Sequence, residues 1–493
     1  MGNKNFDVII IGSGVIGSMI ARFLSRYKLD ILLVDKEADV CMGTTAANTA
    51  IIHAGYDPLP GTLKAEMNVL GNRMWDNVAG ELNIPFERRG DYVVAISKEE
   101  LPKLYDLLER GKKNGVSGME IITGDEVLRR EPDINPNVSG ALWALTGGIV
   151  DPFAANFAAV ENAIMNGVKL MLETAFEDFI TDGTRIVGIK TNKGDFGARW
   201  VVNAAGLYSD DVMHKGGVRP EFKITPRKGE YFVFDSADIT LKNVLFPVPT
   251  NISKGIMVTK TVHGNTIIGP NAKSIEDKED IAVTQEGLAE VLNGAKKLIP
   301  KLNIRYVISL FAGLRAEGNA RSKNPNIDYS HDYVIEIPTD VQGLVNLGGI
   351  ESPGLASSPA IVQRVVELLK DSGEDLEEKL HWNPIRPARP RFRDLSREEQ
   401  KILIQNDPRY GRIVCRCENV TEGEIIAEIH SPITVRTYDA VKRRTWLGTG
   451  RCQGSFDTPR VVEILSRELG VPPEQISKKG PGSEFLIGKT KEA

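Results

Sequence analysis

Within its first dozen residues the chain enters a largely apolar run, FDVIII, passes through GSGVIGSMIARFLSRY, and returns to a second one in DILLVDKE. The two outer runs have the length and continuity of buried strands. The middle stretch is a glycine turn leading into apolar positions at helical spacing, so the pattern predicts strand, helix, strand. Alternating strand and helix signals continue to about residue 225. DPFAANFAAVENAIMNG has the helical period, while RIVGIKTN and FGARWVVNAAG read as a strand pair. Such an order predicts a mixed α/β domain. From about 223 to 345 strand-length runs dominate, among them EYFVFD, GIMVTK, NTIIGP and YVIEIP, with one helical stretch at TQEGLAEVLNGAKKLI. These predict a sheet built over the first domain as a substrate roof. NLGGIESPGLASSPAIVQRVVELL then gives a glycine turn feeding a helix. WNPIRPARPRFRD, with its repeated Pro and Arg, predicts an extended linker or a strap across a surface.

A chain of 493 residues exceeds what one core usually serves, so two or three domains are expected. We place an oxidoreductase-sized unit at 1–380, with nucleotide-binding parts at 1–75, 140–222 and 305–370 and a substrate sheet at 76–139 and 223–304. A Pro/Arg-rich linker follows at 381–408, and a small separate unit at 409–493. With 41% hydrophobic and 26% charged residues and a net charge of −5, the chain offers no overall basic field, which argues against nucleic acid as a partner. The N-terminus enters its first strand without a signal-peptide core, and no run of eighteen apolar residues occurs. Four cysteines in this length are not a disulfide framework. The expected location is cytoplasmic; peripheral attachment to the inner face of a membrane and self-association into an oligomer are left open by the sequence.

Gly12, Gly14 and Gly17 form GSGVIG between a strand and a helix, and Asp35 closes the next strand. The first glycine permits the tight turn, the second lets backbone approach a pyrophosphate at the helix N-terminus, and the third lets helix and strand pack closely. Asp35 is placed to accept from ribose hydroxyls. With both strands and the acid in register, a dinucleotide site is predicted. No second GxGxxG occurs, so a separate NAD domain is not expected. VCMGTTAANTAIIHAG, VVNAAG and GGIESPGLASSPA supply small residues, hydroxyls and a helix N-terminus suited to gripping a longer ligand.

The order of these motifs, with IIHAGYDPLPGTLKAEMNVLGNRMW, VVNAAGLYSDDV, TPRKGEYFVF and FAGLRAEG, resembles the D-amino-acid oxidase superfamily of FAD-dependent oxidoreductases from residue 6 to about 370. The branch it resembles includes anaerobic glycerol-3-phosphate dehydrogenases and 2-hydroxyglutarate dehydrogenases. The resemblance implies a Rossmann-like FAD-binding domain of that type with a mixed-sheet substrate domain, and FAD as cofactor. It implies cofactor contacts at Thr44, Thr45 and Asn48 near the diphosphate and flavin, at Lys36 beside Asp35, and at Phe176 toward the adenine. Ala205, Gly206 and Gly313 would line the cofactor, and Gly354, Leu355 and Ala356 would sit at the flavin's pyrimidine edge.

Dehydrogenation of a carbon bearing a hydroxyl or amine needs an anchor for the substrate's anionic end and a base for the heteroatom's proton. Arg315, in FAGLRAEG, is the main anchor: its planar fork suits a carboxylate or phosphate, and the resemblance puts it over the flavin's substrate face. His53, one of six histidines, is the candidate base. A structural ion pair for the arginine and a buried, backbone-bonded role for the histidine are the alternatives. Lys254 and Arg321 are further cationic candidates for a phosphate, with a solvated surface role as the competing reading, and Tyr231 could shape the pocket.

Near the C-terminus VCRCENVTEG and VKRRTWLGTGRCQGSFDTPRV hold Cys415, Cys417 and Cys452. This arrangement resembles a small helical bacterioferritin-associated-ferredoxin-like (BFD-like) domain carrying a [2Fe–2S] cluster, seen fused to anaerobic glycerol-3-phosphate dehydrogenases. The fourth cysteine of that pattern is replaced here by Asp457. Three outcomes stay open: a Cys3Asp cluster, a tetrahedral zinc site, or a vacant relic. Cys41 reads as a small buried hydrophobe.

The leading expectation is an FAD-dependent dehydrogenase of sn-glycerol 3-phosphate that yields dihydroxyacetone phosphate and passes electrons to a partner redox protein or quinone. A 2-hydroxy-acid or amino-acid dehydrogenase is the alternative, and a non-catalytic electron-transfer subunit or a metal-sensing regulatory module the alternatives of another class.

Overall fold

The computed structural model describes residues 4–237, 239–249, 255–488 and 491. Its first sheet is organised around the strand Lys4–Ile11, whose Val8, Ile9 and Ile10 are all fully buried, as a strand covered on both faces requires. It runs parallel to Ile31–Val34 on one side and to Gly194–Asn203 on the other. Gly194–Asn203 is long enough to serve two neighbours along its other edge. Its first residues pair antiparallel with Arg185–Thr191, while Val201–Asn203 pair parallel with Leu344–Asn346. Helices Val15–Leu24, Pro152–Met165 and Gly354–Asp371 pack together with the long helix Leu63–Leu82 around Trp75, Met19 and Ile361.

Among the described residues the second sheet has nine strands. Ile224–Phe234 lies beside Val307–Gly318 along nearly its whole length, and the sheet continues through Thr266–Gly269, Met257–Lys260, Val244–Pro247, Asp91–Ala95 and Gly140–Ala144 to Met119–Thr123. Helix Gln285–Leu298 covers it with Val291, Ala295 and Leu298. Two segments sit on the other side of the expected division. The strands at 140–144 and 307–318, expected in the nucleotide-binding part, belong to this roof sheet. Val334–Glu336 pairs with Leu344–Gly348 in the nucleotide-binding sheet. The reason is that a strand's own pattern specifies which faces it buries, and its partners decide which sheet it joins.

The linker is a strap with local structure. It contains the helix Arg397–Asn406, started by a capping box between Ser396 and Glu399. Arg386 and Arg389 bond Glu161 on helix Pro152–Met165, and Arg389 also bonds Glu428 of the terminal unit. That unit comprises helices Glu422–Ile429, Tyr438–Thr445 and Thr458–Leu469 around Ile425, Val441, Val461 and Leu465. Among the described residues no helix is long and apolar enough to cross a membrane.

Candidate functional site

A cleft of about 1810 Å³ runs from the glycine turn to the roof sheet. At its nucleotide end the turn is dictated by steric crowding. Gly12 has φ +100°, and a Cβ there would come within 2.6 Å of the Ala204 carbonyl oxygen. The hydroxyl of Thr45 accepts from the Val15 amide at 3.0 Å, fixing the start of helix Val15–Leu24 against the 44–46 turn. The Asp35 carboxylate accepts from the Ser13 amide at 2.7 Å, the Ser13 hydroxyl at 2.6 Å and the Glu37 amide at 3.0 Å. The predicted ribose acceptor therefore also braces the turn it faces.

Gly14, Asp35, Lys36, Thr44, Thr45, Asn48, Phe176, Ala205, Gly206, Gly313, Gly354 and Leu355 all line the cleft. A Cβ on Gly313 would fall 2.1 Å from the Ala47 carbonyl oxygen, so only glycine lets the roof strand approach the 44–47 segment. Two of the named positions do not line the cleft. Gly17 takes the close-packing role expected of the third glycine, since a Cβ there would strike the Gly12 oxygen. Ala356 is fully buried one residue beyond the lining, its carbonyl accepting from Trp75 Nε1 at 3.0 Å. The helical turn that brings Gly354 and Leu355 to the cleft wall points Ala356 into the core. The length of the cleft, the backbone-only approach at Gly12 and the opposed hydroxyls fit FAD as an extended dinucleotide.

At the roof end Arg315 is aimed by its strand and held by two carbonyls: Nε donates to the Arg227 oxygen at 3.3 Å and an Nη to the Asn271 oxygen at 3.0 Å. Neither partner is a carboxylate, so these contacts hold the fork without neutralising it. Arg227 pairs with Glu317 at 2.8 Å. His53 lies in the same cleft with Ser352 Oγ 3.5 Å from its Nε2 and the Phe246 ring 5.7 Å away. Tyr231 lines the cleft, stacked on Phe311 at 4.5 Å, and burial raises its phenol above the ordinary range. Arg321 does not line the cleft; it is exposed on a bridge to Ser330, which removes it as a substrate contact. Lys254 lies outside the described residues.

Sequence reading missed several residues here. Ser352 precedes the helix that carries Gly354. Asn271 holds Arg315 through its carbonyl, while its side chain accepts from the Glu230 amide at 2.8 Å. Lys64, 5% exposed, meets Glu351 at 2.9 Å on the cleft wall. Burial works against its charge, but Glu351, Tyr329 and Asp332 together outweigh it and hold the ammonium above its usual range. Backbone carbonyl acceptors carry no side-chain signal, and a lysine in a helical stretch reads as solvated, so neither feature was legible.

The second candidate site lies in the terminal unit. Cys415 and Cys417 place their sulfurs 3.7 Å apart, and Cys417 and Cys452 theirs 3.5 Å apart. A Cβ on Gly450 would fall 2.9 Å from the Cys417 sulfur. Asp457, 2% exposed, accepts from the Tyr438 hydroxyl through Oδ1 at 2.8 Å, while its Oδ2 is buried without a partner. Burial pushes the Cys415 thiol up to about 12, and the neighbouring Asp457 carboxylate adds to that rise. Three thiols and a buried carboxylate oxygen without a hydrogen-bond partner thus stand where a [2Fe–2S] centre takes four thiolates, with Asp457 in the place of the fourth. As the side chains stand, no group of three or more His, Cys, Asp or Glu among the described residues has the arrangement that would hold a metal ion, these three close-set thiols included. Cys41 is 1% exposed on the nucleotide side, where burial raises its thiol far above the ordinary range.

Comparison with known proteins gives these arrangements a context. Residues 7–368 match the family model for FAD-dependent oxidoreductases of the DAO type, and residues 413–467 that for the BFD-like [2Fe–2S] binding domain. The chain is 45% identical over 489 residues to a glycerol 3-phosphate dehydrogenase of Caloramator mitchellensis, covering 99% of each. It is 34% identical to a glycerol 3-phosphate oxidase of Mycoplasma genitalium over 77% of this chain and 98% of the other. The fold superposes on the FAD-bound L-alpha-glycerophosphate oxidase of Mycoplasma pneumoniae with a TM-score of 0.71 at 30% identity, over 78% of this chain and 100% of that one.

Proposed function

Because the chain belongs to the DAO family of FAD-dependent oxidoreductases, we propose that it is an FAD-dependent dehydrogenase oxidising sn-glycerol 3-phosphate to dihydroxyacetone phosphate. The observation that carries this reading is the state of Arg315: a guanidinium fixed by two backbone oxygens in the cleft that also holds His53 and the dinucleotide turn. An arginine held this way keeps its charge available for a phosphate. Its relatives acting on glycerol 3-phosphate support that anion over others.

Bound FAD supplies a two-electron acceptor for the hydride of the substrate carbon. The chain's residues supply the rest. Arg315 anchors the phosphate and so fixes the distance of the reacting carbon from the anchor. His53 takes the proton of the substrate hydroxyl, with Ser352 bonded to its Nε2 and setting the ring's orientation. Tyr231 and Phe311, stacked together, form a rigid wall.

Cys415, Cys417, Cys452 and Asp457 would hold a [2Fe–2S] centre, which supplies one-electron transfer toward an external acceptor. We assign that acceptor to a redox partner protein or quinone, on the strength of the attached BFD-like unit. Anaerobic addition of glycerol 3-phosphate to the FAD-loaded chain should bleach the flavin absorption, and 2-hydroxyglutarate and amino acids should do so far more slowly. Flavin left unbleached by glycerol 3-phosphate sinks the assignment.

A further inference from the structure

The nucleotide end of the cleft is walled by both domains. Lys36, Glu37 and Ala38, directly after Asp35, face Asp439, Arg443, Lys479, Gly480 and Pro481 of the terminal unit. From this we infer that FAD is held between the two domains, with Arg443 and Lys479 supplying cationic contacts to its diphosphate. The inference rests on the FAD reading and extends the site to a domain whose match is to iron–sulfur proteins.

Charge around Arg443 is the first argument. Arg443 donates to Asp39 Oδ2 at 2.8 Å, but Arg444 already engages both oxygens of that carboxylate. One buried negative charge is thus shared by two buried guanidiniums. In the adjoining network Glu161 and Glu428 are matched by Arg386 and Arg389, and the buried Asp151 is taken up by His263 and Trp446. Arg443 Nε is buried without a hydrogen-bond partner. A largely covered guanidinium that must share its acid with a second one is only partly compensated, and here it lines a cleft shaped for a ligand with a doubly charged diphosphate.

The second argument is the way the opposite wall is built. Residues 477–484 form a small hairpin: Ser477 bridges Glu484, and the Lys478 amide donates to the Ser483 oxygen at 2.7 Å. The hairpin is tied to the start of helix Tyr438–Thr445 by the Tyr438 and Asp439 amides, which donate to the Ser477 and Lys478 oxygens. Its tip, Gly480, has φ +143° and packs so closely that a Cβ would lie 3.1 Å from that of Ala38. Lys479 is exposed beside this contact, and Glu279 of the opposite wall feels its charge. The hairpin therefore holds its lysine at the rim of the cleft without using it in packing.

The test is the affinity of the full-length apoprotein for FAD, followed by quenching of flavin fluorescence. Arg443→Met should weaken binding about tenfold, the loss expected for one charge-assisted contact, and Lys479→Ala roughly threefold. Arg443 also touches Asp39, so a second readout on the unaltered chain guards against a folding defect: amide exchange at 438–445 and 478–481 should slow when FAD is added. Wild-type affinity in both variants, or exchange at these segments indifferent to FAD, overturns the inference alone. A wild-type chain that takes up no FAD overturns it together with the reading beneath it.

Discussion

Arg444 and Asp39, 405 positions apart in sequence, meet fork to fork: one Nη donates to Oδ2 at 2.7 Å and the other to Oδ1 at 2.8 Å. Both are buried, and the pair joins the terminal unit to the segment that follows the nucleotide-binding acid. Burial tends to raise the Asp39 carboxyl, but the two guanidiniums win and hold it below the usual carboxylate range. Replacing Asp39 by Ala leaves two buried arginines without their acid, a change worth about 3–5 kcal/mol for such pairs. Denaturant unfolding should show the loss, and the strap at 381–408 should become quickly cleaved by protease as the terminal unit undocks.

Arg315→Lys keeps the charge but loses the planar fork that two carbonyls hold in place. Flavin reduction by glycerol 3-phosphate should fall about 100-fold in kcat/KM, chiefly through KM, with FAD content unchanged. Rapid-mixing kinetics under nitrogen would measure it, and a change below threefold would remove Arg315 as the anchor.

His53→Gln retains a polar side chain of similar reach but cannot accept the substrate proton. The limiting rate of flavin reduction should drop by about 10² to 10⁴, with substrate affinity nearly preserved. Rates near wild type would return His53 to a packing role against Phe246 and Ser352.

Asp91 gives a pH prediction. Burial pushes its carboxyl up to about 8, with the Ala54 amide and Arg88 only partly opposing this. In the unfolded chain it ionises near 4, so between about pH 4 and 8 the folded state holds a proton that unfolding releases. Raising pH across that window therefore removes stability. Asp91→Asn has no proton to lose, so its Tm should gain on wild type steadily from pH 5 to pH 8.5. A constant difference across that range would show that Asp91 is ionised in the fold.

Asp457→Cys should raise iron and acid-labile sulfide per chain after anaerobic reconstitution, since a thiolate is a softer donor than a carboxylate. Asp457→Ala should lower both, because Oδ2 is the unpartnered buried donor beside Cys415. Equal metal content in the alanine variant and the wild type would exclude Asp457 as a ligand.

The glycine turn was legible because its chemistry is contiguous: Gly12, Ser13 and Gly14 must turn, and the strand that follows brings Asp35 back to them. The terminal thiols were legible for a related reason, as CxC and CQG are short motifs whose spacing survives folding. Arg315 could be picked out by its motif, whereas its state could not, since that depends on carbonyls of Arg227 and Asn271 on neighbouring segments. Arg321, six positions on, carries the same side chain and lies outside the cleft. The strand at 307–318 was assigned to the wrong sheet because an apolar pattern reports burial and says nothing about partners.

By itself the sequence determined the nucleotide turn, the thiol motifs and the α/β character, since each follows from interactions among residues close along the chain. Only the tertiary structure decided which arginine stays unneutralised, which strands roof the cleft, and that Arg443 and Lys479 reach the nucleotide end. Those facts depend on charges and surfaces hundreds of positions apart. Burial makes such contacts strong, yet no local pattern records them.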